Sequence, residues 1–567
     1  MPKDVLLSEI EVKINGSTLP AAFQLDLLSV TVENSLHLPD VAELVLYDSS
    51  LKWIDDPRLD LGRPLQVILK AAQQQQTVFD GEIVEIEPEF DQQVQRLTIR
   101  AFDRMHRLSR GHHVRSFVNV SDADLVQRLA REAGLQAKVD PTPIVYPYVF
   151  QNNETNLSFL QRRAAALGYL LYVRGKTLHC TAAGHGQPNI PLEWGQSLHE
   201  FHPRLTTVEQ VKTFSARGWD PMQKQPVMGQ ASSQSGTVSP SIGQQRDGGA
   251  VTARAFALPE TQVLIADRPI RTQALAEQLA KAAANKQSGS FVEAEGRCFG
   301  NPLLMAGASV QITKVGRRFS GTYFVTNTLH TYSADAGYRT QFSISGHRPS
   351  ALLSLLARPK QPTMMTGLVI GVVTDNHDPQ GHGRVKVKYP WLTEEHASDW
   401  ARLATPGAGA QRGMEFLPEV NDEVLVGFEM GDMECPYVLG GLWNGKDAPP
   451  EQVTSGGKVQ KRLLRSRLGH TLTLDDSDNG GGITIQDKNG NQIMLDTSTD
   501  ALKITVKGDA AIQSQGNMTL KAQGNLTIEA TGQVQLKGNG VTVDGGAGNT
   551  EIKGLNVNVK GIMINLN

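Results

Sequence analysis

Apolar and polar residues alternate along most of this chain, in short runs bounded by Gly, Pro, Asn and Asp. Residues 97–102, 170–173, 323–327 and 340–344 are such runs, and a period of two turns one face of a strand inward. Three segments space their apolar residues for a helix instead. Residues 122–133 are predicted to start on Ser121 as N-cap and stop at Gly134, Asn156–Leu167 to stop at Gly168, and 272–287 to form the longest helix. The expected fold class is mainly β with a few helices.

Two stretches break the alternation. Residues 228–250, rich in Gly, Ser and Gln, bury too little apolar surface to offset chain entropy and read as a long exposed loop. Residues 358–365 read as a Pro-containing connector. Beyond it, 368–373, 383–388, 423–428 and 437–442 are strand candidates at the spacing of a small barrel, separated by loop signals such as Asp378-Pro379-Gln380-Gly381 and Thr405-Pro406-Gly407.

From residue 461 the alternation becomes a repeat. Gly508, Gly516, Gly524 and Gly532 lie eight residues apart and open the segments GDAAIQSQ, GNMTLKAQ, GNLTIEAT and GQVQLKGN. The second and fourth residues after each glycine are apolar: Ala510 and Ile512, Met518 and Leu520, Leu526 and Ile528, Val534 and Leu536. Each octad reads as a short strand with one inward face and a glycine corner, and a fixed short period marks a solenoid. Looser copies are read at 482–486, 492–496, 502–506, 541–543 and 555–566. A single chain gives an inward face too narrow to stand alone. Three chains wound together would share the apolar pairs on one axis and pair every strand edge, so an intertwined triple-stranded β-helix in a homotrimer is expected. About ten octads at about 4.7 Å per rung make a needle roughly 50 Å long.

Composition narrows the function classes. The 567 residues suggest about three or four domains. With 55 Lys and Arg against 58 Asp and Glu, the formal charge of -3 gives no field to collect nucleic acid or an anionic membrane. Cys180, Cys298 and Cys435 stand far apart, with no CxxC pair and no disulfide framework, which fits a reducing cytoplasm. Asp4, Glu9, Glu11 and Lys13 occupy the place of a signal peptide's apolar core, so synthesis in the cytoplasm without Sec export is expected. The apolar runs are far too short to span a membrane.

Particular stretches resemble a known family. GVVTDNHDPQGHGRVKVKYPW (371–391), DWARLATPGAGAQRGMEFLPEVNDEVLVGFEMGD (399–432) and PYVLGGLWN (436–444) are similar to the OB-fold signature of VgrG-type spike proteins, which combine a phage tail hub with a cell-puncturing spike. FQNNETNLSFLQRRAAALGYLLYV (150–173), GNPLLMAGASVQI (300–312) and FSGTYFVTNTLHTY (319–332) resemble the hub region. INGSTLPAAFQLDLLSVTVENSLHLPD (14–40) looks closer to extracellular contractile injection particles than to membrane-anchored type VI secretion. The resemblance implies a hub with tube-like barrels at 1–360, an OB-fold domain at 366–450 and a triple-stranded β-helix at 461–567. It implies a structural role in bacteria: holding a hexameric inner tube, touching baseplate proteins, and puncturing a target envelope mechanically when a sheath contracts, with effector cargo as a further partner. The blunt end, Gly561, Ile562, Met563, Ile564, Asn565, Leu566 and Asn567, would dock a separate PAAR-type tip protein.

Candidate chemistry is weak beside this. The gap between 450 and 461 is too short for the lysozyme domain of some relatives, and the chain stops directly after its last strand candidate, so no fused effector is expected. Glu394–Glu395 and Asp475–Asp476 read as loop acids rather than a glycosidase pair. His199, His202, His112 and His113 lack metal spacing, and past His470 the needle has no imidazole or thiol ligand, so no metal and no cofactor are expected. The glycine-rich 407–413 lacks the Lys-Ser/Thr of a phosphate loop. Arg384, Lys386 and Lys388 are offset by nearby acids, with Tyr389 and Trp391 the main aromatic candidates for base stacking, so nucleic acid is not an expected partner. A spike-mounted cell-wall hydrolase and a tail adhesin are the alternatives. The absence of aromatics after Trp443 weighs against sugar stacking by an adhesin.

Overall fold

The computed structural model describes residues 8–71, 74–91, 95–182, 189–233, 241–242, 247–256, 261–345, 365–478 and 480–565. Residues Met1–Ala448 form one unit and Pro449–Asn567 a second. In the first, strands from the opening hundred residues, among them Leu27–Ser35, Val41–Tyr47, Gln74–Phe90 and Gln95–Asp103, share an eleven-stranded sheet with the later strands Leu198–Leu205, Val292–Phe299, Asn327–Ser333 and Gly337–Ile344. The two sets meet where Asn327–Ser333 runs antiparallel to Leu27–Ser35. Alternation works as expected here: Val30, Val32, Leu44, Leu46 and Ile99 lie in one core, and Phe291, Tyr323 and Phe342 in another.

The helices keep their sequence signals. Asp122–Glu132 starts on a capping box in which Ser121 and Asp124 satisfy each other's backbone amides. Asn156–Leu167 ends on Gly168 at φ +71, where a Cβ would also stand 3.1 Å from Ala282 Cα. Thr272 caps Gln273–Ser288.

Two expectations fail. The loop expected at 228–250 is partly regular: Gln225–Ser232 is a strand paired with Thr213–Asp220, and Gly248–Phe256 is a helix, while 234–240 and 243–246 lie outside the described residues. Its small residues reflect close packing. The helix Gln273–Ser288 crosses the strand so tightly that a Cβ on Gly229 would fall 2.1 Å from the Ala276 carbonyl carbon. The single strand expected at 323–327 is two. Gly321–Phe324 pairs with Ser309–Thr313, and after Val325 and Thr326 the chain joins the eleven-stranded sheet as Asn327–Ser333. Val325 and Thr326 donate to different strands' neighbourhoods, Ala308 and Ser343, and so carry the chain between sheets.

Val369–Asp375, Arg384–Lys388, Ala401–Leu403, Glu423–Phe428 and Pro436–Gly441 close a barrel. Val373, Val385, Val387, Val424, Val426 and Val438 fill it and are wholly buried. Ala401–Leu403 is too short to show alternation, so pattern alone gives no sign of this strand.

Candidate assembly surface

In the second unit, Lys461–Arg465, Thr471–Asp475, Gly482–Gln486, Gln492–Asp496 and Ala501–Thr505 pair in sequence order as an antiparallel meander. Three of these were expected as loose octads; they bond instead to neighbours in their own chain. The turns explain it. Asp487 accepts from the Asn489 and Asn491 amides, Gly490 takes φ +85, and Asp500 takes φ +49 at the next reversal. Such turns fold the chain back on itself rather than carrying it round a corner.

The register aligns apolar side chains across this sheet. Leu464, Leu472, Ile485, Ile493 and Ile504 face one another in succession, and Leu474, Ile483, Leu495 and Leu502 form a second ridge beside them. Both ridges lie on one face, exposed from 36% at Leu472 to 62% at Ile504. The other face is mostly polar, with Leu463 and Met494 among Thr473, Thr484 and Lys503, and Asp496 there accepts from the Ser498 hydroxyl (2.6 Å) and Lys503 Nζ (2.9 Å). Among the described residues nothing closes over this apolar face.

Past Thr505 no described residue belongs to a strand. The chain there has no regular element and bends at 507–508, 515–516, 523–524 and 531–532. Gly508, Gly516, Gly524 and Gly532 sit on these bends with nothing within 4 Å of an added Cβ, and none takes a positive φ. Ile512, Met518, Leu520, Leu526, Ile528, Val534 and Leu536 are all exposed, from 52% at Val534 to 78% at Ile512. Among the described residues of this stretch the backbone makes one mutual bond, Gly548 N to Gly545 O (2.9 Å). Ile562, Met563 and Ile564 are also exposed, beside Gly561 and Asn565, while Leu566 and Asn567 lie outside the described residues.

The other candidates are dispersed. Glu394 pairs with Lys388 (2.9 Å); Asp475 accepts from Ser477 while Asp476 pairs with Arg462, so neither acidic couple forms a shared site. His199 meets Phe299 edge-on at 3.9 Å and its neighbour Glu200 pairs with Arg297 (3.0 Å). Among the described residues no group of three or more His, Cys, Asp or Glu is placed to hold a metal ion. Burial pushes the Cys180 and Cys298 thiols up to about 12. Tyr389, a candidate for stacking, is buried in the barrel core because the strand's alternation turns it inward. Trp400 went unnoticed: Lys386 and Arg384 lie over its ring at 5.0 and 5.8 Å. No helix among the described residues is long and apolar enough to cross a membrane.

Residues 4–334 match the family model described as the Alg8 N-terminal domain, and 369–443 the model described as the type VI secretion system/phage-baseplate injector OB domain. The actin cross-linking toxin VgrG1 of Vibrio cholerae is 33% identical over 125 residues, 20% of this chain and 11% of that protein. The type VI secretion system spike protein VgrG1a of Pseudomonas aeruginosa is 27% identical over 176 residues, 30% of this chain and 27% of that protein. The matches thus span 11% and 27% of these relatives' length. Among solved structures, an E. coli type VI secretion component described as similar to T4 tail proteins gp27 and gp5 is 16% identical, covers 76% of this chain and 99% of its own, and has a TM-score of 0.48. VgrG from a Francisella PdpA–VgrG complex is 10% identical, with 89% and 80% covered and a TM-score of 0.48. With its first 330 or so residues in the Alg8 N-terminal domain family and an injector OB domain behind them, the chain belongs to that family and is a VgrG-type spike protein.

Proposed function

We propose that three copies of this chain join through residues 461–567 into a non-enzymatic spike at the head of a contractile injection machine. One observation carries the reading: among the described residues an apolar sheet face lies exposed and the backbone past Thr505 joins no strand. Exposed aliphatic surface is worth about 25 cal/mol per Å² when covered, and unpaired backbone donors and acceptors need partners once water is excluded. Three identical copies about one axis supply both, since each apolar ridge meets its equivalents and each strand edge meets another chain. In this reading residues 1–360 hold a hexameric inner tube among baseplate proteins, and sheath contraction drives the spike through the target envelope by contact alone. Exposed Ile562, Met563 and Ile564 offer the docking face for a PAAR-type tip protein, and cargo travels with the spike. The protein is made in the bacterial cytoplasm and reaches the target on firing.

Mass measurement in solution tests the assembly: three times 61.7 kDa is expected. Leu526→Asp or Ile528→Asp would bring three charges to one axis and release single chains. A wild-type chain that stays single and folded in dilute solution overturns the reading. Removal of residues 561–567 is expected to abolish co-purification with the tip protein, and undiminished capture would exclude that docking face.

A further inference from the structure

The barrel meets the rest of its unit at several points, among them Ser116–His396 (3.4 Å) and Arg271–Glu429 (2.8 Å), and one strand reaches its core with two aromatic side chains. Val145–Glu154 sends Tyr148 and Phe150, stacked at 6.3 Å, into the barrel's core with Val385, Val426 and Val438. The Tyr148 hydroxyl donates to the Ala397 carbonyl (3.0 Å), and the Phe150 amide donates to Glu434 Oε1 (3.0 Å). Asp432 and Cys435 lie beside Glu434 on its own loop, Tyr148 faces it from the gripped strand, and Arg162 and Arg163 face it from the helix Asn156–Leu167. Both arginines are engaged elsewhere: Arg162 with Glu154 (2.7 Å), and Arg163 with Asp122 (2.5 Å) at the start of Asp122–Glu132. Arg163 also lies over the Tyr146 ring at 4.1 Å, and its Nη2 has no partner. Among the described residues neither arginine forms an ion pair with Glu434. Enclosure of the Glu434 carboxyl, with the charge of Asp432 beside it, raises it to about 7.

We propose that this seam is a protonation-sensitive latch: a neutral Glu434 lets the barrel hold the strand Val145–Glu154, and an ionised Glu434 loosens that hold. The latch belongs to a single chain and does not rest on the trimer. A carboxyl raised from 4.5 to about 7 binds its proton more tightly folded than unfolded, so the seam weakens as pH climbs through that window and levels off above it.

Hydrogen exchange at the Phe150 amide in the full-length protein, corrected for intrinsic rates, reads the hold. Between about pH 5 and about pH 8.5, protection is expected to fall on the order of tenfold or more. Glu434→Gln should hold protection level across that range, because its side chain cannot ionise. Tyr148→Phe should lower protection at both ends and keep the fall, since it removes a bond without touching the titrating group. Protection that does not change with pH in the wild-type protein overturns the latch, whether or not Glu434→Gln folds; so does an equal fall in a folded Glu434→Gln.

Discussion

The barrel, antiparallel but for the parallel pair of Ala401–Leu403 and Pro436–Gly441, and the antiparallel meander of the second unit both place alternate apolar residues on one face, yet only one covers it. In the barrel the inward valines converge because the sheet closes on itself, and Val373, Val424 and Val438 reach zero exposure within one chain. In the meander the same alternation lines up Leu464, Leu472, Ile485, Ile493 and Ile504, but the sheet ends at Lys461–Arg465 and Ala501–Thr505 without closing. Alternation specifies which face is apolar and leaves open what will cover it. That depends on whether the strands are numerous and twisted enough to meet, and on how many copies share the fold.

The largest effects should separate these two faces. Val426→Asp places a charge in a sealed core and should destabilise the single chain by at least about 4 kcal/mol, with the barrel's urea midpoint falling at every protein concentration. Ile485→Asp changes a half-exposed side chain. It should leave the barrel's midpoint unchanged and shift the mass from three chains to one, an effect that higher concentration opposes. If Ile485→Asp lowered the barrel's midpoint as Val426→Asp does, or left the mass untouched, the contrast between closed and open faces would be lost.

An intermediate effect tests a close approach that composition disguised. Gly229 lies in a stretch whose Gly, Ser and Gln content suggests a loop, but the backbone of Gln273–Ser288 runs against it. Gly229→Ala should cost about 1–3 kcal/mol in urea unfolding, because backbone must move to admit one methyl group. A neutral result would restore the loop.

What could be read from the chain follows the range of the forces involved. Three helices were legible to within a residue because Ser121, Gly134, Gly168 and Thr272 act locally on the neighbouring amides and carbonyls, whereas the helix Gly248–Phe256 was not. Four barrel strands were legible because a buried face imposes period two. Gln225–Ser232 was not, because its glycine and alanine answer to a helix that follows some forty residues later. The pairing of Gly482–Gln486 and Gln492–Asp496 was missed for a different reason. Their apolar spacing fits an octad as well as a hairpin, and the decision lies in Asp487, Gly490 and Asp500, which turn the chain back. The exposed ridges were legible as residues but not as two aligned rows, which need the register.

The smallest effect concerns a loop that holds the barrel's rim. Asp378 accepts from Arg384 Nε (2.9 Å) and Nη2 (2.7 Å) and from the backbone amides of Gln380 (3.0 Å) and His382 (2.9 Å). The guanidinium, and then these amides, hold the Asp378 carboxyl far below its usual 3.8. A depressed carboxyl contributes stability above its unfolded value and loses it as pH falls toward the folded one. Asp378→Asn retains an oxygen for the amides but not the charge, and at this partly screened site should cost about 1 kcal/mol at neutral pH. As pH falls from the usual carboxylate value of 3.8 toward the much lower folded one, the advantage of the ionised form shrinks, so the urea midpoints should draw steadily closer. A gap that persists undiminished in acid would mean that shape rather than charge holds the loop against the strand Arg384–Lys388, and the barrel would then keep its rim by packing, as it keeps its core.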